Sequence, residues 1–183
     1  MSILNATTTS GVVLTGDTTG NLVIQSAGNT VCTITATGAN AGIQLASWAA
    51  PAFSAYQSTL QTLSTSTNTK ILFQTKEFDT NNNFASSTFT PTVAGYYQIN
   101  ASGALVSSVA TWSNLKLYKN GSYFKQSFAP SSSAQIDVAG FTGLVYANGT
   151  TDYFEIYGVV GAGQNTNAGQ TVTWFSASLV RSA

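Results

Sequence analysis

Two hydrophobic patterns divide the chain near residue 47. Before that point, short apolar runs at residues 12–14, 22–24 and 31–34 are separated by glycines. Short apolar runs bounded by glycine predict short strands joined by tight turns. So thin a segment buries little apolar surface, and isolated hairpins are marginally stable in water. We therefore predict that residues 1–47 form a β-rich segment that folds against its own copies or against a docking partner.

After residue 47, apolar and polar residues alternate with a period of two, which is typical of half-buried strands. The predicted strands lie at residues 70–74, 95–104, 114–118, 122–128, 135–146, 152–160 and 170–180. A short helical turn at residues 57–63 is the one exception. Two Asn-Gly dipeptides, beginning at Asn120 and Asn148, predict type I′ hairpin turns. Many short strands with such turns predict an all-β sandwich or barrel over residues 48–183.

Composition narrows the classes of function. Only 7% of the residues are charged, against about 25% in an ordinary globular protein. Hydrophobic residues make up 43% of the chain, so it is expected to fold rather than remain disordered. Six basic and six acidic residues cancel, and the basic ones are scattered, which argues against nucleic-acid binding. A neutral chain is prone to precipitate as a monomer, which favours an oligomer.

The same hydrophobic pattern bears on location. No stretch is long and apolar enough to predict insertion in a membrane. The N-terminal residues, Met-Ser-Ile-Leu-Asn, lack the basic and apolar regions of a secretory signal. We therefore expect synthesis and assembly in a cytoplasm.

Several blocks of the second part resemble the globular heads of the C1q family, which are related to the jelly roll of tumour necrosis factor. The blocks are residues 51–55, 89–91 followed by 94–99, 117–121, 152–156 and 174–179. The most specific is Phe-Thr-Pro followed by Ala-Gly-Tyr-Tyr-Gln-Ile, which resembles the family signature F-x-P-x-x-x-G-x-Y-x-F. The resemblance covers residues 51–180 and implies a ten-stranded-type jelly-roll sandwich that assembles as a homotrimer. Thr151, Ala177 and Ile99 depart from the family pattern, which affects the transfer of site residues more than the fold.

Alternation within residues 95–104 separates two faces of one predicted strand. One face, which is able to pack a core, comprises Tyr97, Ile99 and Ala101. The other face carries aromatic and amide groups, which in the family line the trimer axis. The resemblance therefore makes Tyr96, Gln98 and Asn100 the candidate residues of a trimer interface.

Candidate catalytic and metal-binding residues are few. The chain contains no histidine, which removes the usual general base and the commonest transition-metal ligand. Glu77 and Asp79 share a face if their segment is extended, but solvated loop charges are the favoured interpretation. We predict that the protein is not an enzyme. Some C1q-like heads bind calcium through loop carboxylates and carbonyls, so Asp79, with the asparagines at 81–83, is the candidate metal site; no other cofactor is expected. The single cysteine, Cys32, is interpreted as a buried hydrophobic residue, with an interchain disulfide as the alternative.

Exposed aromatic rings are the candidate ligand contacts. Trp112, Tyr123 and Tyr146 combine apolar ring faces with polar handles, a chemistry on which sugar rings stack. Packing in the core or at an interface is the alternative for all three.

The N-terminal segment suggests a setting for the head. Its Thr/Gly-rich sequence, for example at residues 14–22, is similar to that of bacteriophage fibre, collar and capsid-decoration proteins. We predict a bacteriophage virion structural protein, a trimeric fibre knob or capsid-surface decoration, made in the host cytoplasm and located in the virion. Residues 1–47 would contact other virion proteins, and the head would contact a host-surface glycan or protein. The alternative is a cellular C1q-like lectin module that binds carbohydrate or protein.

Overall fold

The computed structural model describes residues 22–26, 29–34, 43–45, 50–106, 112–129 and 136–183, with side chains for 50–104, 112–127 and 139–183. The chain divides into two compact units, Met1–Ala49 and Ala50–Ala183. All regular structure in these ranges is β-strand. None of the described residues belongs to a helix that could cross a membrane.

The described strands of the first unit form an antiparallel sheet in the order β1-β2-β3. They are β1 (Leu22–Ser26), β2 (Asn29–Ile34) and β3 (Ile43–Leu45). Cys32 on the central strand lies opposite Ile24 on one side and Leu45 on the other. The predicted strands at 22–24 and 31–34 are confirmed, whereas the apolar run at 12–14 lies outside the described residues.

The second unit is a sandwich of two sheets with antiparallel strand pairing. The first sheet has seven strands: β4 (Ala52–Tyr56), β5 (Thr62–Leu63), β7 (Thr75–Asp79), β10 (Gly95–Val106), β13 (Ile136–Ala147), β15 (Gln164–Thr166) and β16 (Trp174–Ser182). The second sheet has six: β6 (Thr69–Lys70), β8 (Phe84–Ala85), β9 (Thr88–Phe89), β11 (Ser113–Lys119), β12 (Ser122–Ala129) and β14 (Phe154–Val160). The predicted all-β sandwich is confirmed.

Strand β10 organises the first sheet. It pairs with β13 along its whole length on one side, and on the other side with β16 and then β15. Strands β4 and β7 continue the sheet beyond β16. The predicted alternation along β10 is confirmed, because Tyr97, Ile99 and Ala101 are buried while Tyr96 is exposed.

The core between the two sheets is rich in phenylalanine. Phe53 on β4 stacks on Phe84 at a centroid distance of 4.4 Å and meets Phe175 of β16 edge to face at 4.9 Å. Stacked and edge-to-face pairs are the favoured aromatic geometries, and each buried ring contributes about 2 to 3 kcal/mol from its apolar area. Burial raises the pKa of Tyr97 to about 12, although its hydroxyl donates to Val93 O at 2.7 Å.

Two local predictions between residues 57 and 74 are wrong, and the side chains of Gln57 and Gln61 link the two stretches. Residues 57–61 are irregular rather than helical, and beyond β6 the strand predicted at 70–74 does not continue. Gln57 Nε2 donates to Leu72 O at 3.2 Å, and Gln61 Oε1 accepts from Leu72 N at 3.1 Å. Glutamine side chains thus take the backbone groups that a neighbouring strand would otherwise pair.

The two Asn-Gly turns differ. Asn120 and Gly121 both have positive φ, at 55° and 74°, and join the paired strands β11 and β12, so the predicted type I′ hairpin is confirmed. The prediction at Asn148 is wrong, because β13 and β14 lie in different sheets and do not pair with each other. There, Asn148 Oδ1 instead accepts from three successive backbone amides, those of residues 150–152, and Gly149 has a φ of 72°.

Candidate interaction faces

The outer side of β10 and β13 forms a surface that we call the polar-aromatic face. Its members point away from the core and are Tyr96, Gln98, Asn100, Thr142, Leu144 and Tyr146. Tyr96, Leu144 and Tyr146 are 44%, 50% and 43% exposed. The register places Tyr96 directly opposite Tyr146, with ring centroids 5.6 Å apart, and Gln98 opposite Leu144. Large rings and a leucine therefore lie beside amides on a sheet face open to solvent.

A hydrogen-bond network fixes the polar part of this face. Gln98 Nε2 donates to Thr142 Oγ1 at 2.9 Å and to Asn100 Oδ1 at 3.2 Å. Thr142 Oγ1 donates to Asn100 Oδ1 at 2.7 Å. These side chains hold one another across two strands, so the face is ordered before any partner reaches it. Ordering in advance lowers the entropy cost of association.

None of the six residues of the polar-aromatic face is charged, and two lysines of the second sheet reach its edge, where Lys119 Nζ donates to Tyr146 O at 2.8 Å and Lys125 Nζ donates to Leu144 O at 3.2 Å. Among the residues of β4, β10, β13 and β16, the only charged ones are Arg181 and Asp137. Arg181 lies opposite Tyr96 in the register of the first sheet. Cores of protein interfaces are depleted in charge and enriched in aromatic residues. The candidate interface residues Tyr96, Gln98 and Asn100 thus lie together on a surface of that composition, and their role at a trimer interface stays a prediction.

The candidate metal residue, Asp79, ends strand β7 and closes the turn that follows it. Its Oδ1 accepts from Asn83 N at 2.9 Å and its Oδ2 from Phe84 N at 3.0 Å, and Lys76 Nζ lies 3.3 Å away. Burial would raise the pKa of Asp79, but these hydrogen bonds and the Lys76 charge hold it below its ordinary value of 3.8. The part of the chain that the structure describes holds no cluster of three acidic or cysteine side chains. The carboxylate therefore acts first as a turn cap, and calcium binding there stays a prediction.

A second buried carboxylate, Asp152, joins two loops at the same end of the sandwich. It accepts from Asn120 Nδ2 at 2.7 Å and from Asn148 N at 2.9 Å, and it pairs with Lys119 Nζ at 2.9 Å. Burial would raise the pKa of Asp152, but the hydrogen bonds and the lysine hold it below its ordinary value of 3.8. The family resemblance includes residues 152–156, which begin with this aspartate, but it assigns the aspartate no structural role. Asp152 is a structural clip between the β11–β12 hairpin and the β13–β14 connection.

The three candidate ligand-binding aromatics do not come together. Trp112 is 37% exposed and precedes β11, whereas Tyr123 follows the hairpin at the opposite end of that strand. Tyr146 lies on the first sheet, beside Tyr96. Tyr123 instead meets Tyr118, which in turn stacks on Tyr157, and the sequence interpretation missed both of these tyrosines. Binding at Trp112, Tyr123 or Tyr146 is therefore three separate predictions rather than one site.

Comparison with known proteins agrees with this architecture. No protein-family model matches the sequence, and no curated protein matches it. The globular domain of the zebrafish complement 1qA protein is similar in structure, with a TM-score of 0.56 at 16% identity over 73% of this chain and 99% of that one. Eiger TNF from S. frugiperda gives 0.59 at 10% identity over 73% and 94%, and murine APRIL at pH 5.0 gives 0.56 at 9% over 72% and 99%. The chain has a C1q/TNF-like jelly-roll fold, as its sequence blocks predicted.

Proposed function

We propose that this chain is a non-catalytic structural protein of a bacteriophage virion. Residues 48–183 form a homotrimeric head, which serves as a fibre knob or as a capsid-surface decoration and contacts the host surface. Residues 1–47 attach the head to other virion proteins. The protein is made in the host cytoplasm and resides in the virion.

The polar-aromatic face is the observation that carries the proposal of self-association. In a monomer, Tyr96, Leu144 and Tyr146 would remain in water, because the nearby charges, Arg181 and the ammonium groups of Lys119 and Lys125, lie beside the face rather than on it. In a closed ring of three copies, each copy packs against both of its neighbours around the axis, which buries such a face without leaving an open end. The C1q/TNF-like fold favours three copies.

Two further observations support the rest of the proposal. The chain has no histidine, and its fold is that of C1q and TNF heads, which favours binding over catalysis. The described strands of the first unit form a small antiparallel sheet of three strands. So small a sheet gains stability when it pairs with other chains, which suits an attachment segment.

Electron microscopy of particles assembled with and without this chain tests the virion role. The proposal predicts a projecting density that disappears when the chain is absent and that also disappears when residues 1–47 are deleted. Particles of identical appearance in all three preparations, with the chain left free in the lysate, would contradict it.

A further inference from the structure

The outer side of the second sheet carries a row of tyrosines that we call the tyrosine ladder. It consists of Tyr123 on β12, Tyr118 on β11 and Tyr157 on β14. The rings of Tyr118 and Tyr157 are stacked, with centroids 4.0 Å apart and planes at 28°, and Tyr123 meets Tyr118 at 6.3 Å. Tyr123 is 54% exposed. Since neighbouring strands lie about 4.8 Å apart, three strands present an aromatic platform about 10 Å wide.

A lysine without a carboxylate partner stands at this platform. Lys116 Nζ lies 5.6 Å from the centroid of the Tyr123 ring and donates to Asn68 Oδ1 at 2.8 Å. The ion pairs among the described side chains are Lys70–Glu155, Lys76–Asp79 and Lys119–Asp152. An ammonium group has three donors, so Lys116 keeps donors for a further acceptor. Its charge is the uncompensated one on the ladder.

The far end of the ladder is neutralised. Glu155 accepts from Lys70 Nζ at 2.8 Å and from Thr88 Oγ1 at 3.0 Å, and Tyr157 OH lies 3.4 Å from its other oxygen. Burial, and then the negative charge of Glu155, raises the pKa of Tyr157 above its ordinary value, so the phenol stays neutral. The ladder therefore offers neutral ring faces beside Lys116, which lies opposite Tyr157 on β14 and makes no ion pair with the described side chains.

We propose that the tyrosine ladder binds an acidic oligosaccharide, one that carries a uronic or sialic acid. A pyranose ring presents a face of C–H groups that stacks on an aromatic ring, and the platform is as long as a disaccharide. The exposed Tyr123 ring takes one sugar, and Lys116 pairs with the carboxylate of that sugar or of its neighbour. A sheet face lined by tyrosine rings on three strands suits a chain of sugar rings better than a side chain that needs a pocket. This inference does not depend on trimerisation, because the ladder and the polar-aromatic face lie on opposite sides of the sandwich.

Titration of the full-length chain with acidic and neutral saccharides tests the proposal. The probes are tetragalacturonate and 3′-sialyllactose, with maltotetraose as the neutral comparison, all at millimolar concentration and followed by calorimetry. We expect at least one acidic probe to bind more tightly than maltotetraose. Failure of both acidic probes to bind, or equal affinity for the neutral one, overturns the proposal.

Substitutions on β11 and β12 provide matched controls on neighbouring positions. Tyr123→Ala is expected to weaken acidic-probe binding about tenfold, the equivalent of one lost stacking contact. Phe124→Ala removes the next ring along the chain, which is 44% exposed and makes no ring contact with the ladder, and should leave binding unchanged. Equal losses in the two variants would show that the effect is not at the ladder.

The charge has a matched control as well. Lys116→Met is expected to abolish the preference for the acidic probe, and the wild-type preference should shrink as salt is added. Lys125→Met removes the same charge from the neighbouring strand β12. Lys125 points away from the ladder, because its Nζ donates to Leu144 O of the first sheet at 3.2 Å. Retained preference in Lys116→Met, or its loss in Lys125→Met, contradicts the assignment. Thermal melts of all four variants establish that each remains folded.

Discussion

The outer faces of the two sheets differ in their content of charged side chains. The polar-aromatic face of the first sheet carries amides, tyrosines and Leu144 with very little charge. The outer face of the second sheet carries lysines and a glutamate among its tyrosines, including the Lys70–Glu155 pair at 2.8 Å. Charged side chains keep a sheet face soluble, whereas an exposed aromatic and aliphatic face without them favours association. The contrast supports our proposal that the first sheet meets another copy of the chain and that the second sheet meets solvent or ligand.

The largest expected effect is on association, when a lysine is placed on each face in turn. Leu144→Lys inserts a charge in the centre of the polar-aromatic face, where an unpaired buried charge opposes association. We expect the assembly to dissociate to monomers while the circular dichroism spectrum stays that of a β-protein. Sedimentation velocity measures the change.

The control for that variant is Gln126→Lys. Gln126 is exposed on the outer side of β12, opposite Lys116 in the register of the second sheet. The assembly should persist in this variant. Dissociation in both variants, or in neither, would remove the distinction between the two faces.

Charged side chains in the second sheet and its loops should contribute to the stability of the fold rather than to association. Asp152→Ala removes a buried carboxylate that holds Lys119, Asn120 and the Asn148 amide. The change leaves Asn120 Nδ2 and the Asn148 amide without their acceptor and Lys119, which is 22% exposed, without its ion pair, so we expect the free energy of unfolding to fall by about 2 to 3 kcal/mol. Urea denaturation at a fixed protein concentration measures this. Glu77→Ala is the control, because Glu77 is exposed and accepts one hydrogen bond, from Ser54 Oγ at 2.5 Å; a loss as large as that of Asp152→Ala would contradict the clip.

A smaller effect is expected from pH. The pKa values of Asp79 and Asp152 are held below 3.8 in the folded chain, so near that pH the unfolded state binds more protons than the folded one. Their contribution to stability is therefore complete above pH 3.8 and is lost as pH falls through the folded-state values. The chain has no histidine, so stability should stay level from about pH 5 to 8. A transition in that neutral range, followed by urea denaturation, would contradict this assignment.

Some features of these two faces can be predicted from local sequence, whereas others depend on the order of the strands in each sheet. The two sides of β10 follow from the alternation of Ile99 and Ala101 with Gln98 and Asn100, and the identical side chains of Tyr96 and Tyr97 are told apart only by their place in that alternation. The pairing of Tyr118 with Tyr123 is also implicit in the sequence, because a two-residue Asn120-Gly121 turn sets those positions opposite each other. Tyr157 joins them only through the pairing of β14 with β11, which is a property of sheet order and not of local sequence.

Other features escaped prediction for identifiable reasons. Strand β7 reads Thr-Lys-Glu-Phe-Asp, and its charges suggest a loop; it is an edge strand, where charged side chains reach solvent. Asn148-Gly149 has the sequence of a hairpin turn, but its glycine is needed because the backbone of another segment approaches it closely. A Cβ on Gly149 would lie 2.4 Å from Ala94 N, and its φ is 72°. The same dipeptide thus serves two structural purposes that only the tertiary fold distinguishes.

The mass of the full-length chain in solution tests the central claim most directly. Light scattering at micromolar concentration should give three times the chain mass of 19.0 kDa, because the polar-aromatic face of each copy is covered by its neighbours. A mass of one chain under the same conditions would contradict the account, since Tyr96, Leu144 and Tyr146 would then lie permanently in water.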